Sequence, residues 1–194
     1  MKLLCIFSVL FCLLSCNKYV KIYSETGQLQ EKYKRDRKKQ IHGIYKMYFS
    51  NKQLLLLREY KHGKIINKEF VYYDNGQLRK IANYERGEYN GEFIYYYENG
   101  VLEQEGVYKD AAIDNNLKTY YKSGQLKEVV AFENGEENGD FVYYHPNGKI
   151  KSTGRLKNGD NYDGLIMIYD EEGTLIQKKQ CEIGECIVVW QIVP

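Results

Sequence analysis

The segment Gly91-Glu-Phe-Ile-Tyr-Tyr-Tyr-Glu-Asn-Gly100-Val-Leu102 decides the architecture. Phe93 to Tyr97 is an aromatic and β-branched run of the kind that strands prefer. Asn99-Gly100 is a hairpin signal, because both residues tolerate the positive φ of a tight turn. The pattern recurs along the chain. Equivalent turn residues are Gly27, Lys52, Gly76, Gly100, Gly124, Gly148 and Gly173, separated by 25, 24, 24, 24, 24 and 25 residues. Four residues before each stands a tyrosine: Tyr23, Tyr48, Tyr72, Tyr96, Tyr120, Tyr144 and Tyr169. Two residues after stand Leu29, Leu54, Leu78, Leu102, Leu126, Ile150 and Leu175. Eight residues after stand Tyr60, Tyr84, Tyr108, Phe132 and Leu156, with Arg35 and Cys181 breaking the pattern at the two ends. A second glycine recurs at Gly63, Gly87, Gly135, Gly159 and Gly184, with Ala111 in its place in one unit. A third opens the next unit at Gly43, Gly91, Gly139 and Gly164.

This periodicity predicts an all-β chain, an extended antiparallel meander of about seven β-hairpin repeats with a period near 24 residues. Two strands per unit give about 14, spanning roughly 65 Å at 4.8 Å per strand. Period-two alternation places Tyr72, Leu78, Ala82 and Tyr84 on one face, interrupted by Lys80. No single hairpin hides its aromatic face, so stability must come from stacked neighbours. Asn75-Gly76, Asn99-Gly100 and Asn147-Gly148 are expected to form the tight turns, and stretches such as Arg86 to Gly91 the links between hairpins.

Composition fits this reading. The chain has 20 Tyr, seven Phe, one Trp, 17 Gly and only two Pro. Its formal charge of +2 is too small for a nucleic-acid partner held by bulk electrostatics. Lys2 followed by the apolar stretch Leu3–Leu14 has the form of a signal-peptide helix. As a helix those residues reach only about 18 Å, too short for a bilayer core. The ending Leu13-Leu14-Ser15-Cys16 resembles the lipobox of bacterial lipoproteins, in which the cysteine is lipidated and becomes the first residue. The resemblance implies an anchor at Cys16, a membrane on the exported side, and a mature body of 27 basic against 26 acidic residues once Lys2 is removed. An ordinary secretory signal with an incidental Cys16 is the alternative. The expected division is 1–15 signal peptide, 16–22 anchor and linker, 23–180 repeat array and 181–194 capping strands.

The unit from Gly91 to Leu102 resembles the MORN-repeat variant of bacterial proteins, including those labelled YwqK-type antitoxins. Matching units run from about Tyr23 to Gly184. The resemblance implies an interaction scaffold, sometimes at membranes, without shared catalytic residues. Three functional readings follow: a non-catalytic scaffold for a protein or cell-envelope glycan, an immunity or antitoxin-like protein neutralising a toxin, and an envelope hydrolase.

Specific residues carry the expectations. Phe49, Tyr73, Tyr97, Tyr121 and His145 form an alternate-face column, read as a binding stripe or as packing. Cys181 and Cys186 flank Glu182-Ile-Gly-Glu185, a hairpin that would bring them face to face as a disulfide. The link from Lys109 to Asn116 lacks the usual glycines and is either a recognition loop or a tolerated irregularity. Lys32 to Lys39 carries six basic side chains around Asp36, a membrane-facing cluster or a solvated strand end. Ile187 to Val193 reads as a capping strand. His42, His62 and His145 lie in different units without metal-ligand spacing, and no phosphate loop or nucleophile elbow is present. No catalytic residue, cofactor or metal is expected.

Overall fold

The computed structural model of the chain describes residues 19–192, so the signal-peptide helix and Cys16 lie outside the described residues. The strands are β1 (Val20–Tyr23), β2 (Leu29–Tyr33), β3 (Gly43–Tyr48), β4 (Leu54–Lys61), β5 (Lys64–Tyr72), β6 (Leu78–Glu85), β7 (Glu88–Tyr96) and β8 (Leu102–Lys109). They continue as β9 (Ala112–Tyr120), β10 (Leu126–Glu133), β11 (Glu136–Tyr144), β12 (Ile150–Lys157), β13 (Asn161–Tyr169), β14 (Leu175–Glu182) and β15 (Glu185–Gln191). All 15 lie in chain order in one open antiparallel sheet. Seven hairpin units supply 14 strands and β15 closes the array, as the period requires. No helix among the described residues is long and apolar enough to cross a membrane.

The two sheet edges use different turns, and the sequence assignment of them is reversed. In the unit around Gly76, Gly76 N donates to Tyr73 O at 3.0 Å and Tyr73 N to Gln77 O at 2.8 Å. Gly76 alone has positive φ, at 86°, while the Asn75 side chain accepts from Gln77 N at 2.9 Å. Asn75 therefore acts through its side chain rather than through a left-handed backbone. The supposed links are the tight two-residue turns. Arg86 and Gly87 have φ of 54° and 97°, and Asn134 and Gly135 have 54° and 86°. Positive φ at both central residues is what a type I′ turn demands, and its twist matches that of the flanking strands.

A bulge repeated in every full unit changes which residues share a face. Val71 pairs with Lys80, but the next residue, Tyr72, pairs with Leu78, so one residue of β6 is left over. Residues opposite one another in a ladder point to the same side. Glu69, Val71, Lys80, Ala82 and Tyr84 therefore share one face, and Phe70, Tyr72, Leu78 and Ile81 share the other. The expected grouping of Tyr72 and Leu78 with Ala82 and Tyr84 is corrected: unbroken alternation fails where the ladder slips by one. The repeated Tyr and Leu share a face as expected, but they are half-buried or exposed rather than core.

Most of the burial lies in a row on the opposite face, seven residues before and six after each turn residue. The row runs Tyr33, Tyr45, Arg58, Glu69, Ala82, Phe93, Gly106, Leu117, Val130, Phe141, Gly154, Ile166 and Lys179, one residue per strand. Large and small residues alternate through its centre. Phe93 and Phe141 are almost fully covered, and each lies opposite a glycine. A Cβ on Gly106 would stand 2.8 Å from Phe93 Cζ and 3.1 Å from Leu117 Cδ1. The glycines make room for the rings, which is how one layer of sheet covers an aromatic side chain. Each such ring contributes about 1.5–3 kcal/mol.

One unit departs from this chemistry. Glu69 replaces the large apolar residue and is 1% exposed. It accepts from Arg58 Nε and, at 2.7 Å, from Lys80 Nζ. Lys80 also donates to Tyr89 Oη at 2.7 Å and lies 4.7 Å from that ring's centroid. Burial acts to lower the Lys80 pKa, but its bonds to Glu69 and Tyr89 outweigh burial and leave it raised. A charged cluster thus occupies the space of a ring.

Gly154 tests the packing row, because its φ is ordinary and a methyl there meets only side chains. An added Cβ would collide with Ile166 Cδ1 and stand 2.9 Å from Phe141 Cε1. Gly154→Ala should lower stability by about 1–3 kcal/mol in urea unfolding.

Candidate functional site

The column Phe49, Tyr73, Tyr97, Tyr121 and His145, expected as a stripe for a partner, has an architectural role in the structure. Tyr73 Oη donates to Tyr96 O at 2.8 Å, Tyr97 Oη to Tyr120 O at 2.7 Å, and Tyr121 Oη to Tyr144 O at 2.7 Å. His145 Nε2 donates to Tyr169 O at 3.0 Å, standing in for the phenol. Phe49 has no hydroxyl and opens the column without this bond. Each side chain reaches one repeat onward, so their polar atoms are engaged within the sheet. Asparagines run beside them: Asn51 donates to Asp74 O at 2.7 Å, Asn99 to Lys122 O at 3.2 Å and Asn147 to Glu171 O at 2.7 Å. The other edge is laced by backbone bonds, such as Gly135 N to Ile113 O at 2.9 Å. These partners are carbonyls about one period away, so only the recurrence of the donors marked them in the sequence.

The other expected features fall as follows. The link from Lys109 to Asn116 is a regular two-residue turn, with Asp110 and Ala111 at φ 50° and 66° and Ala111 N donating to Tyr89 O at 3.1 Å. It is not a protruding loop. Cys181 and Cys186 are directly opposite across β14 and β15 and are joined, with Cα atoms 4.0 Å apart. The basic segment lies on β2 and the loop after it, where Lys32 and Lys34 stand 4.5 and 4.7 Å from the Tyr19 ring centroid.

The same loop brings together residues that linear spacing kept apart. Gly63 N donates to Ile41 O at 2.9 Å, placing the β4–β5 turn against the β2–β3 link. His62 Nδ1 then donates to Asp36 Oδ2 at 2.8 Å, and the His42 and His62 ring centroids are 5.0 Å apart. The His62 bond holds the Asp36 carboxyl below its ordinary pKa, against the opposing effect of burial. His145 remains apart, in the tyrosine column. Successive links stack along one edge, so the signal for this cluster was spacing near one period rather than a short motif.

At the far edge, β15 is exposed over its whole length. Ile187 is 68% and Trp190 42% exposed, and Val188 and Val189 are likewise open to solvent. One bulge, at Val189, interrupts its ladder with β14.

The sequence pattern of the MORN repeat variant family matches residues 41–62, 67–86, 89–110, 114–134 and 137–158. The chain belongs to the MORN repeat variant family. Its MORN array continues in the same geometry beyond the matched residues, through β1–β2 and β13–β15. No curated protein matches the chain. Among solved structures, "Crystal Structure of TcdB2-TccC3" aligns at 9% identity over 83% of this chain and 12% of that chain, with a TM-score of 0.24. "Crystal Structure of TcdB2-TccC3-Cdc42" aligns at 13% identity over the same 83% and 12%, with a TM-score of 0.20. Likeness at these scores carries no argument.

Tyr97→Phe isolates the hydroxyl ladder. Removing one hydrogen bond to a carbonyl in the sheet should cost about 1 kcal/mol in urea unfolding while leaving the strand content by circular dichroism unchanged.

Proposed function

We propose that this MORN array is a lipid-anchored scaffold of a bacterial cell envelope, tethered through Cys16 on the exported side, that holds a protein partner at its distal edge strand. The observation that carries the reading is β15, whose outer side pairs with no strand among the described residues. Edge strands are ordinarily blunted by charges, proline or bulges. From Ile187 to Val193 the sequence has no charged residue, and a bulge at Val189 interrupts the strand, which opens with the charged Glu185. An apolar edge of this kind suits strand addition, in which main-chain bonds supply affinity and side chains such as Trp190 supply selectivity. The disulfide beside it ties β15 to β14. At the opposite end, the basic loop after β2 would favour anionic headgroups by about 1 kcal/mol per charge close to the surface.

A second reading, contact with an envelope glycan, is favoured by aromatic rings on one face. Tyr89 and Tyr108 stack at 4.9 Å, with Tyr84 4.4 Å from Tyr89, and all three are half-buried. Rings of this kind offer a flat apolar surface with polar tips.

Cross-linked capture from cells carrying the full chain separates these readings. The scaffold reading predicts a stoichiometric envelope protein lost with Ile187→Lys, and fatty-acid labelling of the chain abolished by Cys16→Ser. A single toxin recovered instead would make the chain an immunity protein. Capture unchanged by Ile187→Lys would remove β15 from the account, and unlabelled wild-type chain would remove the anchor.

A further inference from the structure

The loop after β2 is built differently from every other link in the array, and its chemistry is concentrated at one point. Asp36 Oδ1 accepts two backbone bonds, from Lys38 N at 2.9 Å and Gln40 N at 3.0 Å. That leaves Oδ2 aimed at His62. His42 lies beside it, with Nδ1 3.4 Å from His62 N. One ligand atom from each of Asp36, His42 and His62 lies within 4.8 Å of the other two. The turn itself does not ask for histidine. The position of His62 in the later links is taken by Arg86, Asp110, Asn134, Asn158 and Ile183, all with the same left-handed φ.

We propose that Asp36, His42 and His62 form a surface site for a divalent transition-metal ion of the zinc class. Two imidazoles and one carboxylate are the ligands that such ions select, whereas calcium and magnesium prefer six or more oxygens. Bond lengths of about 2.0–2.1 Å require ligand atoms roughly 3.4 Å apart in a tetrahedral site. Both histidines are exposed and can close that distance by side-chain rotation, leaving one position for water. The carboxylate is already oriented by its backbone bonds, as metal ligands usually are by a surrounding shell. Arg37, Lys38 and Lys39 lie on the same loop and oppose a cation, but they are exposed and screened at physiological salt.

The site has a mechanical consequence. Within the strands β2 and β3 pair through two residue pairs, Glu31 with Met47 and Lys32 with Lys46, and the link beyond them adds one bridge, Arg35 with Ile41. A metal held by Asp36 on the β2–β3 loop and His62 on the β4–β5 turn would fasten this thin junction. It would tie the hairpin nearest Cys16 to the rest of the array.

The test uses the full chain without a histidine tag, purified in detergent and titrated with zinc chloride by calorimetry. One zinc ion per chain is expected, weakened about tenfold or more by His42→Ala, His62→Ala or Asp36→Asn. His145→Ala should leave binding unchanged. Zinc should also slow amide hydrogen exchange in β2 of the wild type and not of the double variant His42→Ala/His62→Ala. Both histidines are exposed, and strand content measured on each variant verifies that it is folded. The proposal is overturned if no stoichiometric binding occurs, if the double variant binds as well as the wild type, or if equimolar magnesium or calcium displaces the zinc.

Discussion

A single layer of β-sheet has no second layer to press against, so every buried side chain must be covered by neighbours on its own face. In this chain that cover comes from a row crossing the strands, in which rings at Phe93 and Phe141 lie over Gly106 and Gly154. An isolated hairpin provides one side of each ring with a partner and leaves the other in water. A neighbouring repeat supplies the missing side, through Ala82 beside Phe93 and Val130 beside Phe141. Repetition is therefore the source of stability rather than an elaboration of an already stable unit. Turn-to-turn bonds from Tyr73, Tyr97 and Tyr121 then hold the repeats in register at one edge.

The array departs from its own rule where Glu69 sits between Arg58 and Lys80. A buried carboxylate held by two cations is a poor substitute for a ring in free energy, since desolvation offsets most of the attraction. Lys80 extends the cluster into the next unit through its bond to Tyr89. Toward the N-terminus the row changes again to Tyr33 and Tyr45, whose rings lie 5.6 Å apart.

Much of the architecture was legible because turns are local. Gly76, Gly100, Gly124 and Gly148 mark one edge by a positive φ, and five residues in the links mark the other with glycine. Face assignment was not legible, because the bulge opposite Tyr72 depends on how two strands align and leaves no residue signature of its own. The Asn-Gly pairs carry the residue signature of tight turns without forming them. Their asparagines act through the side chain, and type I′ geometry falls to pairs such as Arg86-Gly87. The Tyr97 hydroxyl bonds a backbone carbonyl, which carries no residue identity, so its place within the sheet was not legible. Asp36, His42 and His62 are separated by six and 20 residues, and only the stacking of successive links brings them together.

The two ends of the sheet therefore differ in kind. The N-terminal end carries basic residues and a histidine–aspartate cluster, while the C-terminal end presents an apolar strand closed by a disulfide. Between them lies a body whose stability depends on neighbouring repeats. The most direct test is to remove the neighbours. A synthetic peptide covering residues 88–109 contains β7, β8 and their turn, and so Phe93 with Gly106. Dependence on neighbours predicts that it is unstructured in water, with undispersed amide resonances and no strand signal in circular dichroism. A stably folded, monomeric hairpin would contradict it.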